Sequence, residues 1–208
     1  MIQLTEVEAR VLGSLIEKDM TTPEYYPLSL NALTAACNQK TNREPVVQYD
    51  EDFVGRTLES LREKQLAWSI SGRDMRVPKY SHRASETLDA GNRELAVLCV
   101  LMLRGPQTVG ELKQRTERLY AFDDLESVET TLHKLAEREP APFVRQLARV
   151  PGTREPRWAH LFCGEVDETT PAATAQPASE PLAARVARLE EEVRLLKEQV
   201  ADLRRLFE

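Results

Sequence analysis

The chain has 208 residues, 41% of them hydrophobic and 30% charged, with a formal net charge of -6 at pH 7. That suffices for one large or two small globular domains at roughly 100 to 200 residues each, and its acidic balance excludes a protein held on nucleic acid by bulk charge. The longest apolar run, Leu95 to Leu103, is about half the roughly 20 residues that a spanning helix needs, and MIQLTEVEAR lacks the basic flank and apolar core of a signal peptide, so the expectation is a cytoplasmic protein with no membrane partner.

In chain order, Thr5 and Glu8 form a capping box ahead of a helix whose apolar face carries Val11, Leu12, Leu15 and Ile16. Ser29 is placed to cap a second helix, LNALTAAC, which ends at Cys37. Six polar residues, Asn38 to Arg43, then lead to Pro45, and Asp50 opens a third helix built on Val54, Thr57, Leu58 and Leu61. Two strand candidates follow, LAWSI (66–70) and MRVPKY (75–80), with Pro78 confining the second to a sheet edge.

The pattern then starts again near Asn92. The new first helix stops at Gly105-Pro106, Thr108 and Glu111 form another capping box, and Asp124 or Ser127 begins a third helix. Strand candidates 143–150 and 157–162 flank a Pro-Gly turn. Val11, Leu12 and Leu15 recur as Val97, Leu98 and Leu101, 86 residues on, whereas Val54, Leu58 and Leu61 recur as Val128, Leu132 and Leu135, 74 residues on. The first copy therefore carries about 12 extra residues, of which 38–49 supply part.

The fold class expected is mainly α with small β-hairpin wings (α+β): tandem winged-helix domains at 1–82 and 90–164, then a C-terminal coiled-coil helix. Residues 165–181, rich in Ala, Thr and Pro, have the composition of a disordered linker. Across 182–208, Leu182, Val186, Leu189, Val193, Leu196, Val200, Leu203 and Phe207 alternate steps of four and three. Valine at a and leucine at d favour a parallel homodimer, with Arg185 facing Glu190 and Glu192 facing Lys197 between chains. The alternative is that this helix folds back on its own domains.

Three stretches carry a family resemblance: LTEVEARVLGSLIEK, TTPEYYPLSLNALTAACNQKTNREPVV and PGTREPRWAHLF, which together sample residues 1 to 164. In them the chain resembles the bacterial YceH-like proteins. That resemblance implies a pair of winged-helix domains, often followed by a coiled coil, and brings no biochemical activity with it.

Charge distribution bears on function. Residues 1–80 hold 10 Lys/Arg against 12 Asp/Glu, residues 81–164 hold 12 against 12, and residues 165–208 hold 6 against 10. Winged-helix domains commonly insert the third helix into the major groove, yet the outward faces here carry Asp52, Arg56, Glu59 and Glu63 in one copy and Glu126, Thr130, His133 and Glu137 in the other. Acidic faces oppose phosphate, and Arg56 has Asp52 and Glu59 within pairing reach on its own helix. Basic residues gather instead in the 38–43 segment and the hairpins. The nucleic-acid contact candidates are Lys40, Asn42, Arg43, Arg73, Arg76, Lys79, Arg145, Arg149, Arg154 and Arg157. The plainer reading is that hairpin arginines keep strand edges soluble.

Trp68 and Trp158 read as core residues, given their apolar neighbours. Cys37, Cys99 and Cys163 read as reduced packing residues, and His82, His133 and His160 lie about 25 or more residues apart, so neither a metal nor a cofactor is expected. No phosphate loop or catalytic signature stands out, and the expectation is no enzyme. Two functions remain: a dimer that contacts duplex DNA through wings and the 38–43 segment, or a protein-interaction scaffold whose partner meets the acidic third helices.

Overall fold

A computed structural model describes residues 2–71, 77–149 and 155–164 of the chain. All of them lie in the first of its two units, Met1–Thr170. The expected linker and the zipper seam from Leu182 to Phe207 lie outside the described residues. What is described is mainly helical with two small antiparallel sheets.

Helices α1 (Glu6–Thr21), α2 (Leu30–Cys37) and α3 (Glu51–Glu63) make the first copy, and α5 (Asn92–Arg104), α6 (Val109–Thr116) and α7 (Leu125–Ala136) the second. A single turn, α4 (Ala84–Thr87), joins them. Every predicted start is seen: Thr5 with Glu8 and Thr108 with Glu111 close capping boxes, and Ser29, Asp50 and Asp124 each accept a backbone N–H of the first turn. Asp124, rather than Ser127, caps α7. At the end of α5, Gly105 takes φ 70°, a left-handed conformation that a side chain would strain.

The sheets differ between copies. β2 (Ala67–Ile70) and β3 (Lys79–His82) pair antiparallel, and β1 (Leu28–Ser29) joins the other side of β3, pairing Leu28 with Tyr80. β3 is therefore the middle strand, not the edge strand that Pro78 suggested. Pro78 precedes the paired stretch, so its missing N–H costs no ladder bond. In the second copy β4 (Val144–Gln146) pairs with β5 (Trp158–His160), and Gln107 alone bridges to Trp158 where the first copy has β1.

The two copies share one core. Helix α1 is buried from Glu8 to Glu17 and α5 from Glu94 to Leu103, because each packs on its own copy with one side and on the other copy with the opposite side. In α5 the buried run is apolar after Glu94, as a helix buried all round requires, whereas α1 buries Glu8, Arg10 and Glu17 against hydrogen-bonding partners. Gly13 permits the close approach: a Cβ there would stand 3.0 Å from Leu103 and 3.4 Å from Met102. Cys99 Sγ donates to the Gly13 carbonyl at 3.3 Å across the same contact.

Buried charges repeat with the copies. Lys64, at the end of α3, reaches Glu8 at 2.6 Å, and Lys134 on α7 reaches Glu94 at 2.6 Å. In each case burial pushes the carboxyl upward, but the lysine's hydrogen bond and charge, with further hydrogen-bond donors, hold it below its usual range. Two packing expectations fail. Trp68 is 56% exposed because strand alternation turns Ala67 inward, and the Arg83 guanidinium lies over its ring at 5.7 Å. Cys163 is exposed, unlike Cys37 and Cys99. Trp158 is buried as expected. No helix among the described residues is long and apolar enough to cross a membrane.

A candidate anion-binding cleft between the two copies

Thirteen residues, 38–50, separate α2 from α3, where eight, 117–124, separate α6 from α7. Much of the longer connection is held from within. The Asn38 side chain donates to the Tyr49 carbonyl and accepts its N–H, both at 2.8 Å, closing the segment as a strand pair would. Arg10, buried on α1, donates to the carbonyls of Cys37 and Pro45.

Arg43 is not a surface contact, contrary to expectation. Its side chain is 0% exposed, and it binds both carboxylate oxygens of Glu17, at 2.9 and 2.7 Å, and the Ala36 carbonyl at the end of α2. A guanidinium with five fixed donors suits that junction of a carboxylate and helix-end carbonyls. Burial pushes the Glu17 carboxyl upward, yet the hydrogen bonds and charge of Arg43 outweigh it and hold the group below its usual range. Asn42, with φ 60°, is also structural: its side-chain oxygen accepts from Arg104 of the second copy. Beside it, the Glu44 N–H donates to the Leu103 carbonyl at 2.8 Å.

These links bring Lys40 to a cleft of about 630 Å³ between the copies. Lys18 of α1, Lys40, Arg104 of α5, and Arg115 and Arg118 of α6 and the residues after it all line it. Its one lining carboxylate is Glu17, already neutralised by Arg43. Lys18 also touches Glu17 at 3.0 Å, and Arg115 reaches Glu111 at 3.4 Å. Burial, and then repulsion by Arg115, lowers the Arg104 pKa from its ordinary value. Concentrated positive charge in a partly desolvated concave wall is an arrangement that an anion relieves. Apolar side chains, Val100, Leu103 and Leu119, complete the lining.

Of the sequence candidates among the described residues, only Lys40 and Asn42 line this cleft. Lys79 is half-buried on β3, and Arg157 donates to the Pro106 carbonyl at 3.0 Å with Glu111 3.8 Å away. Arg145 and Arg149 are exposed, and each has an interaction partner. Arg73, Arg76 and Arg154 lie outside the described residues. Arg115 and Arg118 are not among the sequence candidates because they belong to neither a third helix nor a hairpin; the run KQRTER (113–118), basic on and just beyond a second helix, is the sequence signal for them.

The third helices present the acidic faces expected. Asp52, Arg56, Glu59 and Glu63 are exposed on α3, and Glu126, Thr130, His133 and Glu137 on and just beyond α7. Glu59 pairs with Arg62 at 2.6 Å, while Arg56 lies over the Phe53 ring instead of in the ladder predicted with Asp52 and Glu59.

A second cavity, about 380 Å³, is lined by Arg10, Tyr49, Leu101, Met102, His160 and Cys163, among others. His160 stacks on Phe162, and its Nδ1 is buried with no hydrogen-bond partner among the described residues. Burial lowers its pKa to about 4.

Comparison with known proteins adds a lineage. A protein-family model described as "Protein of unknown function, DUF480" matches residues 4–153. A UPF0502 protein of Solibacter usitatus is 54% identical over 99% of this chain and 98% of its own length. The UPF0502 protein YceH of Escherichia fergusonii is 48% identical over 97% of this chain and 96% of its own. A UPF0502 protein of Photobacterium profundum is 46% identical over 100% and 97%.

Proposed function

The chain belongs to the DUF480 family of proteins of unknown function, and from the cleft between its copies we propose that it is a non-enzymatic, tandem winged-helix protein that binds nucleic acid and serves a regulatory role. One observation carries the reading: five basic side chains converge on a cleft whose single carboxylate is already paired with Arg43. Phosphates supply most of the affinity in such complexes, and the cleft gathers Lys18, Lys40, Arg104, Arg115 and Arg118 despite a net charge of -6. The winged-helix assignment is supported by the recurring three helices and hairpin, and by pairing of the segment before the second helix with the hairpin in both copies. Backbone contact through the cleft is compatible with acidic third helices, because those helices need not enter a groove.

The test is binding of labelled duplex and single-stranded oligonucleotides by fluorescence anisotropy across a salt series. Affinity is expected to fall steeply with salt. In the Lys40→Ala/Arg118→Ala double variant it falls by roughly tenfold at low salt, with a salt slope shallower by about 2. Absence of binding to both forms at low salt overturns the reading. It would favour the second one, a protein-interaction scaffold, for which exposed Phe53 and Leu125 provide apolar anchors beside the acidic faces of α3 and α7.

The strict heptad seam from Leu182 to Phe207 supports a parallel dimer, which would present two clefts to one ligand. Removing 182–208 is expected to convert the dimer to a monomer in sedimentation; a dimer that persists would move the interface into residues 1–164.

A further inference from the structure

We propose that the cleft receives an unpaired nucleotide of a single strand, its phosphates against the basic walls and its base against the half-buried Leu119 of the lining. This rests on the nucleic-acid reading and narrows it to a substrate class.

Arg104 and Leu119 are half-buried, whereas Val100 and Leu103 are only 3% and 2% exposed, so of the three apolar side chains of the lining Leu119 is the one with surface left for a base. A duplex is a convex cylinder with its bases stacked inside. Its phosphates can meet Lys40 and Arg118, which are exposed, but its paired bases are not free to turn into the cleft. At about 630 Å³ the cleft has the size of small-molecule sites, roughly 300 to 1,000 Å³, which suits a nucleotide.

A second observation is aromatic. Tyr25 is 72% exposed, ending a 3-10 turn, Pro23–Tyr25, in which its N–H donates to the carbonyl of Thr22 at 3.0 Å. Thr22 itself lines the cleft. A large exposed ring close in sequence to a basic groove offers a stacking surface for the next base, and such pairing of cations with aromatic faces is how unpaired strands are bound without sequence preference. Third, a duplex gains most of its specific contacts through its grooves, and the helices that would enter them, α3 and α7, carry exposed acid that its phosphates repel.

The experiment uses the full chain and three labelled probes of about 12 residues, within the site sizes such proteins use: oligothymidylate, oligouridylate and a DNA duplex. At least one unpaired probe is expected to bind roughly tenfold or more tightly than the duplex, and the two unpaired arms separate DNA from RNA as its source. Tyr25→Ala, an exposed substitution that leaves the core intact, is expected to weaken the unpaired probe roughly fivefold or more and to leave duplex binding unchanged. A duplex bound as tightly as both unpaired probes, or an unpaired strand indifferent to Tyr25→Ala, overturns the proposal while leaving nucleic-acid binding in place. No binding of any probe overturns both.

Discussion

Replacing Arg43 with alanine is expected to cost about 3 to 5 kcal/mol of folding stability, the range for breaking a buried ion pair by removing one partner. The physical reason lies in what stays behind. Glu17, with its side chain 12% exposed, would lose both hydrogen bonds that satisfy its carboxylate, and the Ala36 carbonyl would lose two donors at the end of α2. Nearby cations cannot substitute fully: Lys18 already contacts Glu17, and Arg10 is committed to Cys37 and Pro45. Urea denaturation followed by tryptophan fluorescence would measure the loss, with Arg43→Lys expected to recover only part of it because an ammonium cannot reproduce the fork. The double variant Glu17→Met/Arg43→Met should be closer to the parent than Arg43→Ala, since it removes the stranded charge. A loss under about 1 kcal/mol for Arg43→Ala would show the pair to be solvated and the segment loosely held.

Stability is also expected to fall as pH drops from about 6.5 to about 4, and His160 is the main reason. Its folded pKa, about 4, lies below the ordinary 6.5, because burial disfavours the charged ring. Between those values the unfolded chain holds a proton that the folded one does not, so acid favours unfolding; below about 4 both states are protonated and the loss stops growing. At 1.36 kcal/mol per pH unit the full loss is about 3 kcal/mol. His82 acts in the same sense, since burial lowers its pKa against the attraction of Asp19, 3.0 Å away. Glu8, Glu17 and Glu94 have folded pKa values held below the usual carboxylate range, so their stabilisation is present above the unfolded value and is lost as pH falls through the folded ones. Thermal unfolding across that window would show the trend. His160→Gln, which removes the titration, should flatten the curve above pH 4, and superimposable curves would refute the assignment.

The sequence by itself determined the element plan. Caps at Thr5, Ser29, Asp50 and Thr108, the α7 start to within Asp124 or Ser127, the stop at Gly105, the apolar sides of α3 and α7 and their acidic outer faces are all read from short-range rules, because a cap or a helix period involves residues within about four positions of each other. Only the tertiary structure decided what those elements face. Strand alternation could not say which side of β2 met the core, so Trp68 is outside; the partner that makes β3 a middle strand lies about 50 residues upstream. The same limit governs the site. Lys40 and Arg43 stand three residues apart in one polar segment, and nothing local distinguishes them. Arg43 is buried because a carboxylate 26 residues away meets it there, whereas Lys40 joins Arg104, Arg115 and Arg118 because α1 and α5 pack back to back around Gly13. Long-range electrostatic partners are set by that packing, which is why a segment legible as polar became legible as part anchor and part cleft lining only in the fold.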